Sequence, residues 1–569
     1  MAPGVGAVAV LTSGALSIGS SVAHGRWRQE EIIRILTSLT AIGLSLAAQL
    51  APASATPAAM QTPHVILDQG AVEGVALSSG GQAYLGIPYA APPVRDLRWR
   101  DPQPVARWSG TYHADHYAPQ CMQPQRGVMT NQYSGAEITS EDCLYLNVWT
   151  AAARKKAPVI VFIHGGGFYV GSSSMALYGG EAVSREGAVF VNFNYRLGAL
   201  GFLAHPDLSA ESPHKTSGNY AFLDQIAALQ WVRRNIARFG GDPDNVTIVG
   251  QSAGSMSVAA LQASPLARGL FRRAVGMSGA LLDGPSAMAT LPDAEKEGVK
   301  LQTYLRVKSL AELRALPADK IVVPRIADGP KIGPVQDGYL LPQGVEQIFA
   351  RSAQNDVPLL LGFTHDESFG GLGPVNGLED YRAKAKAKFG ERVSAFLDFY
   401  PASNDEQARA QARAADRDGT MAVGMDSWAR AQAAHGRSRI FSYEFSRAHS
   451  FAPGVVLTDL DPATAGAYHT SEVPFWLGTL DSFDQFRPTR AWTSADRAFS
   501  RAMTRSLVAF ARTGDPNSAD LRWPQYDPAS RTLLELGQAA GSGQWPDARK
   551  LDFFRAVMAP TVTGGAVRD

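Results

Sequence analysis

Ser252 lies in the run GQSAG at 250–254, which fits the pattern G-x-S-x-G. Five residues of that kind arise by chance, but the flanks add context. The apolar run VTIV enters the motif, and SMSVAALQA leaves it with helical character. A serine on a tight strand-to-helix turn has its hydroxyl lifted clear of the sheet. Glycines two residues before and two after suit such a turn, because only very small residues fit against the adjacent backbone. The helix that follows presents N–H groups and positive potential to a developing oxyanion. The pattern therefore points to nucleophilic attack by Ser252 on a carbonyl carbon. The competing reading is a structural turn whose serine only caps the helix.

A nucleophilic serine needs donors for the oxyanion, a base and an acid. The stretch FIHGGGF at 162–168 ends an earlier apolar run, and its three glycines leave backbone N–H groups approachable. By that mechanism the donors are the N–H groups of Gly166, Gly167 and Ala253. His164 is expected to be structural. It precedes the serine, whereas a strand-to-helix nucleophile turn orders its partners serine, acid, histidine. Of eleven histidines, only His365, His435, His449 and His469 follow Ser252. His365 directly precedes Asp366 and Glu367 at the end of the apolar run VPLLLGFT, where a late strand would present the acid. The base is therefore sought beyond it. His435 ends an Arg/Gln/Ala-rich stretch and His449 sits in a Ser/Pro loop, so both read as surface residues. His469, in the glycine-flanked loop GAYHTSEVPFWLG, is the best candidate. Adjacent side chains do not both reach one imidazole, and pattern alone leaves Asp366 and Glu367 open. The other is expected to be a loop carboxylate that caps or is solvated.

These residues must be carried by strands and helices. PVIVFIHGG at 158–166 and AVFVNFNYRLG at 188–198 are continuous apolar runs, the signature of strands buried on both faces. NYAFLDQIAALQWVRRNIARFGG at 219–241 has apolar residues at helical spacing and a Gly-Gly stop. FRRAVGMSGA, VPLLLGFTHDE and RIFSYEFSR read as later strands, and the glycine-punctuated segments at 65–90 as an antiparallel edge. Strands alternating with helices predict an α/β fold with a large, mostly parallel central sheet. The helical stretches at about 290–354 and 374–437 interrupt that rhythm. They are expected as insertions over the C-terminal edge of the sheet, where such folds place their sites.

The chain has 569 residues and a formal net charge of +1, without a polybasic or acidic tract, so nothing points to nucleic acid. Its length alone suggests several domains, but large α/β enzymes exceed that expectation as one body. Arg26, Arg28 and Arg34 precede the apolar stretch at 35–51, and Ala53 and Ala55 follow in an A-x-A arrangement. This reads as residues 1–55 forming an N-terminal extension and secretory signal, cut after Ala55, ahead of one catalytic domain at 56–569. A retained membrane anchor is the alternative, but Thr, Ser and Gln49 interrupt the stretch. A spanning helix wants about 20 apolar residues. No stable membrane span is expected after cleavage. In an exported chain the two cysteines, Cys121 and Cys143, are expected to pair.

The chain resembles the type-B carboxylesterases, the family of bacterial para-nitrobenzyl esterases, fungal lipases and cholinesterases. The resemblance runs from about residue 65 to residue 554. It is carried by YLGIPYAAPPVRDLRWRDP, EDCLYLNVW, HGGGF, NYRLGALGF, the long segment ending DPDNVTIVGQSAG, GFTHDES and HTSEVPFWLG. It implies an α/β-hydrolase fold and ester hydrolysis through an acyl-enzyme, on small to medium carboxylic esters. A lipase acting on long-chain acylglycerols is the alternative. No metal or cofactor is implied, and the protein is expected as a monomer or homodimer. The family's acid is the Glu of a Gly-x-x-x-x-Glu pattern. Gly362 to Glu367 fits it, which selects Glu367 over Asp366. His469 matches the family's histidine, followed here by Glu472, Pro474 and Phe475. The resemblance also implies the Cys121–Cys143 disulfide and ion pairs Arg98–Glu141 and Arg196–Asp224. It further implies a supporting role for Ser278. Three departures stand out. Gln251 replaces the Glu that often precedes the nucleophile, and Ser368 stands where Gly commonly follows the acid. The loop between the cysteines also lacks the Trp with which cholinesterases bind a quaternary ammonium, which argues against a choline ester.

Overall fold

The seven residues of Ala157–Ile163 have no polar side chain to turn toward solvent, and they form a strand buried along its whole length. It belongs to an eleven-stranded sheet seen in the computed structural model. The structure describes residues 62–558 apart from 134, 136–137, 152–154, 283–287, 324–327 and 370. The chain divides into two units, Met1–Met60 and Gln61–Asp569. The expected signal segment and its cleavage point lie outside the described residues.

In chain order the sheet strands are β1 (Val75–Ala76), β2 (Gly81–Pro88), β3 (Tyr145–Ala151), β4 (Ala157–Ile163), β5 (Val189–Phe193) and β6 (Gly241–Gln251). They continue as β7 (Arg273–Met277), β8 (Leu359–Thr364), β9 (Ile440–Phe445), β10 (Thr532–Leu536) and β11 (Ala540–Gln544). The spatial order is β11-β10-β9-β8-β7-β6-β4-β5-β3-β2-β1. Every pairing from β5 through β10 is parallel, and the strands outside that block pair antiparallel. The parallel block is the buried one: β5 and β8 are enclosed along their full length, as expected when helices cover both faces. The last hairpin, β10 with β11, was not legible in the sequence. AGSGQ carries no apolar alternation, and its pairing with Thr532–Leu536 comes from the partner strand.

The principal helices are α1 (Tyr220–Asn235), α2 (Ala253–Ala263), α3 (Leu291–Tyr304), α4 (Leu378–Phe389), α5 (Asp405–Arg417), α6 (Val423–His435), α7 (Val473–Leu477) and α8 (Ser494–Thr513). After α1 a 3-10 turn ends at Gly240, which takes the left-handed conformation that stops the helix. Helices α3 to α5 fill the two expected insertions. Helix α6 differs from that reading. It packs against β8 and β9, and its buried Trp428 donates Nε1–H to Gln262 of α2 at 2.9 Å. It is therefore a covering helix of the sheet.

The predicted covalent and ionic ties are present. Cys121 and Cys143 form a disulfide. Arg98 grips Glu141 through two nitrogens at 2.6 and 2.5 Å. Arg196 does the same to Asp224 at 2.8 and 2.6 Å, with both side chains buried. A two-pronged contact fixes geometry that a point charge would not. Among the described residues no helix is long and apolar enough to cross a membrane.

Candidate active site

Strands β4, β6, β7 and β8 run parallel, so their C-terminal ends meet at one edge of the sheet. Ile163 is registered opposite Gly250, Gln251 opposite Met277, and Met277 opposite Gly362. The residues just past those ends are therefore neighbours: the 165–168 loop, Ser252, Ser278 and Glu367. That edge is where an open α/β sheet places its chemistry.

Ser252 has φ 57° and ψ −124°, a conformation that side chains rarely adopt, and it opens α2. The turn is held from both sides. The Ser252 N–H donates to the Met277 carbonyl at 2.8 Å, and the Ser255 hydroxyl to the Gly279 carbonyl at 2.5 Å. No side chain fits at its ends. A Cβ on Gly250 would sit 2.1 Å from the Gly254 oxygen, and one on Gly254 2.0 Å from the Ile163 oxygen. The glycines thus let α2 start directly against β4, as the motif predicts.

The second glycine run closes on the same point. A Cβ on Gly165 would lie 3.0 Å from the Ser252 Cβ. Gly166 has φ 110°, and its carbonyl accepts from both Tyr169 and Val170 N–H at 3.0 Å. Gly167 follows at φ 62°. Ala253, after the nucleophile, begins α2. His164 lies beneath this loop, buried, with its ring stacked 4.3 Å from that of Tyr195. Its Nδ1–H donates to the Gly165 carbonyl at 2.9 Å, and burial pushes its pKa down to about 4. It is a neutral packing residue, as chain order implied.

Glu367 and His469 come together across 102 residues of sequence. Nδ1 of His469 lies 2.7 Å from Oε2 of Glu367. The other carboxylate oxygen accepts the Thr364 N–H at 3.1 Å, so Glu367 is anchored to the end of β8. Asp366 has a different task. It ties the two loops by accepting the Ala467 N–H at 2.8 Å, while its own N–H donates to the Ala467 carbonyl at 3.0 Å. The Phe369 ring stands edge-on to the His469 imidazole at 4.4 Å.

The far nitrogen of His469 meets Gln251. With Nδ1–H given to Glu367, Nε2 carries the lone pair and accepts from the Gln251 amide at 3.2 Å. Gln251 is fully buried, and its Oε1 has no partner among the described residues. The serine hydroxyl lies one residue along; among the described residues it makes no hydrogen bond to the imidazole, and catalytic hydrogen bonds of this kind often form only in the substrate complex. No spacing or motif in the chain places the residue 251 side chain in direct contact with the imidazole.

Two further residues were missed or misread. Glu472, three residues after His469, is fully buried. Burial, and then the nearby Glu367 charge, push its carboxyl up to about 8. It is therefore neutral at neutral pH. Ser278 donates to its Oε1 at 3.4 Å, which connects the serine predicted to support the network with a protonated carboxyl. His449 is not a surface residue. It is buried, its Nε2–H donates to the Ser471 carbonyl at 2.7 Å, and burial followed by the Arg490 charge lowers its pKa to about 3. A Ser/Pro loop reads as exposed, but here it folds beneath the 468–472 loop and holds it. His435, in contrast, is exposed as expected.

Residues 61–554 match the family model described as "Carboxylesterase family". The chain belongs to the carboxylesterase family. Among curated relatives of this carboxylesterase, the fumonisin B1 esterase of Sphingopyxis macrogoltabida is 36% identical over 508 residues, covering 86% of this chain and 90% of the relative. The para-nitrobenzyl esterase of Bacillus subtilis (strain 168) is 33% identical over 512 residues, covering 86% and 98%. A solved PNB esterase superposes with a TM-score of 0.71 at 31% identity, covering 87% of this chain and all of that one. The α/β-hydrolase fold and carboxylic-ester hydrolysis follow from this membership. The carboxylesterase is a serine hydrolase acting on small ester substrates.

Proposed function

We propose that Ser252, His469 and Glu367 form the catalytic triad of this carboxylesterase, acting through an acyl-enzyme on small to medium carboxylic esters. The observation that carries this is the pairing of His469 with Glu367 beside the strained Ser252 turn. In the proposed cycle His469 Nε2 takes the proton from Ser252 as Oγ bonds to the ester carbonyl carbon. Glu367 holds the ring in the Nδ1–H tautomer and stabilises the imidazolium. The N–H groups of Gly166, Gly167 and Ala253 receive the oxyanion, a contribution of about 3–4 kcal/mol per donor in comparable sites. His469 then protonates the departing alcohol. Water repeats the sequence on the acyl-enzyme and releases the acid.

Export is part of the same reading. It is supported by the Arg-flanked apolar stretch ahead of an A-x-A site and by the Cys121–Cys143 bond, which suits an oxidising compartment. The test of the catalytic assignment is the hydrolysis of para-nitrophenyl esters of rising chain length by Ser252→Ala. Turnover should fall to background for every ester. Retention of wild-type turnover would remove Ser252 from the mechanism.

A further inference from the structure

The charges around this site are unevenly matched. Of the carboxylates, Glu367 is committed to His469 and the Thr364 N–H, and Asp366 to Ala467. Asp416 accepts from Ser368 and from the Leu372 N–H. Glu472 is protonated at neutral pH. Position 251 carries an amide rather than a carboxylate, fully buried beside the nucleophile.

The cations are less well matched. Arg126 lies in the loop closed by the Cys121–Cys143 disulfide, partly buried. Its guanidinium bonds only neutral groups, the Gln132 carbonyl and side-chain oxygen, each at 3.3 Å. Among the described residues no carboxylate lies within ion-pair distance of it. The loop is fastened to the site at both ends. Gln123 clasps the Gly171 N–H and carbonyl, each at 2.8 Å, just beyond the 165–168 turn. The Gln132 amide bonds the hydroxyl of Thr470, the residue after His469. The Arg126 charge also reaches the buried core of the site. Burial first, and Arg126 after it, hold His164 low; burial raises the Tyr178 hydroxyl while Arg126 opposes it.

A second cation backs the same loop. Arg490 is buried and donates to His449 Nδ1, Asn131 Oδ1 and the Tyr468 hydroxyl, at 3.1, 2.5 and 3.1 Å. Its side chain also has no carboxylate partner among the described residues. The opposing charges in this region are Asp459, which is exposed and caps the Asn131 N–H, and Asp484, whose carboxylate accepts the Thr489 and Arg490 backbone N–H groups. With Arg126 and Arg490 lacking carboxylate partners among the described residues and the neighbouring carboxylates committed, this region presents a positive field to an approaching substrate.

We propose that this site selects esters bearing a carboxylate or a similar anionic group, with Arg126 as the residue that holds the anion. Gln251 is the complementary determinant. A glutamate there would repel an anionic substrate at the reacting carbon, and an amide does not. The guanidinium is suited to the task because its planar donors pair with both oxygens of a carboxylate. This inference rests on the triad reading above and concerns only which esters that triad receives.

The test compares para-nitrophenyl hydrogen glutarate with para-nitrophenyl pentanoate, each corrected for background with the Ser252→Ala protein. The kcat/KM ratio, glutarate over pentanoate, should exceed one in the wild type. Arg126→Gln should lower it by about tenfold or more, and Arg126→Lys by less. Gln251→Glu should also lower it. Raising salt from about 0.05 to about 0.5 M should lower the wild-type ratio much more than that of Arg126→Gln. A wild-type ratio below one, or a ratio that Arg126→Gln and salt both leave unmoved, overturns the proposal. If pentanoate hydrolysis survives Ser252→Ala, the triad reading itself fails. If it depends on Ser252 and the ratio ignores Arg126, only the anion inference fails.

Discussion

Around Ser252 the residues that shape the turn, Gly250 to Gly254, lie within five positions, whereas His469 is held by a carboxylate 102 residues away. The nucleophile turn is fixed by volume: α2 and β4 approach so closely that a single methyl group at Gly254 would meet the Ile163 oxygen at 2.0 Å. The base is fixed by hydrogen bonds and charge. Its loop is tied to the end of β8 through Asp366 and supported from below by His449. One half of the site should therefore fail when bulk is added, and the other when charge or donor pattern is changed without bulk.

The sharpest way to separate the halves is Glu367→Gln. The substitution keeps size but removes the charge and allows the wrong imidazole tautomer. It should lower kcat by about 10³–10⁴-fold while the thermal midpoint moves little, measured by steady-state kinetics beside calorimetry. Gly254→Ala should do the reverse. Overpacking at a site without room to relax costs about 3 kcal/mol or more, to be seen as a lowered urea midpoint, with activity lost because the fold is.

A smaller effect comes from Glu472. Its folded-state pKa of about 8 lies above the ordinary value of 4.5, so the folded protein holds this proton more tightly than the unfolded chain. The stabilisation is complete below about 4.5 and is lost as pH rises through about 8. Glu472→Gln mimics the protonated form. Its thermal midpoint relative to wild type should rise between about pH 4.5 and pH 8 and level off beyond. An unchanging difference across that range would mean that Glu472 is ionised in the folded protein. The smallest effect is expected for Ser278→Ala, which removes one long hydrogen bond to that carboxyl and should cost about 1 kcal/mol or less in chemical denaturation.

The same contrast explains what could be read from the chain. The nucleophile turn is local, so GQSAG between an apolar run and a helix announced it, and the glycines proved to stand where no Cβ fits. The parallel strands were legible because burial on both faces leaves an unbroken apolar run. The acid was not legible from pattern, because Asp366 and Glu367 are adjacent and only the packing of the two loops divides their tasks; family resemblance made the choice. Burial of His449 was hidden because a loop's polarity says nothing about what later folds over it. The Gln251–His469 contact was hidden for the same reason, since it joins residues 218 positions apart. The β10–β11 hairpin was missed because one of its strands has no side-chain pattern of its own.

The central claim is that Ser252 is the activated nucleophile and that His469 and Glu367 activate it. It is tested most directly by labelling the intact protein with a fluorophosphonate and mapping the modified peptide by mass spectrometry. One equivalent should be found on Ser252. Labelling should slow strongly in His469→Ala and be absent in Ser252→Ala. A label on another residue, or labelling of Ser252 at an unchanged rate without His469, would contradict the account.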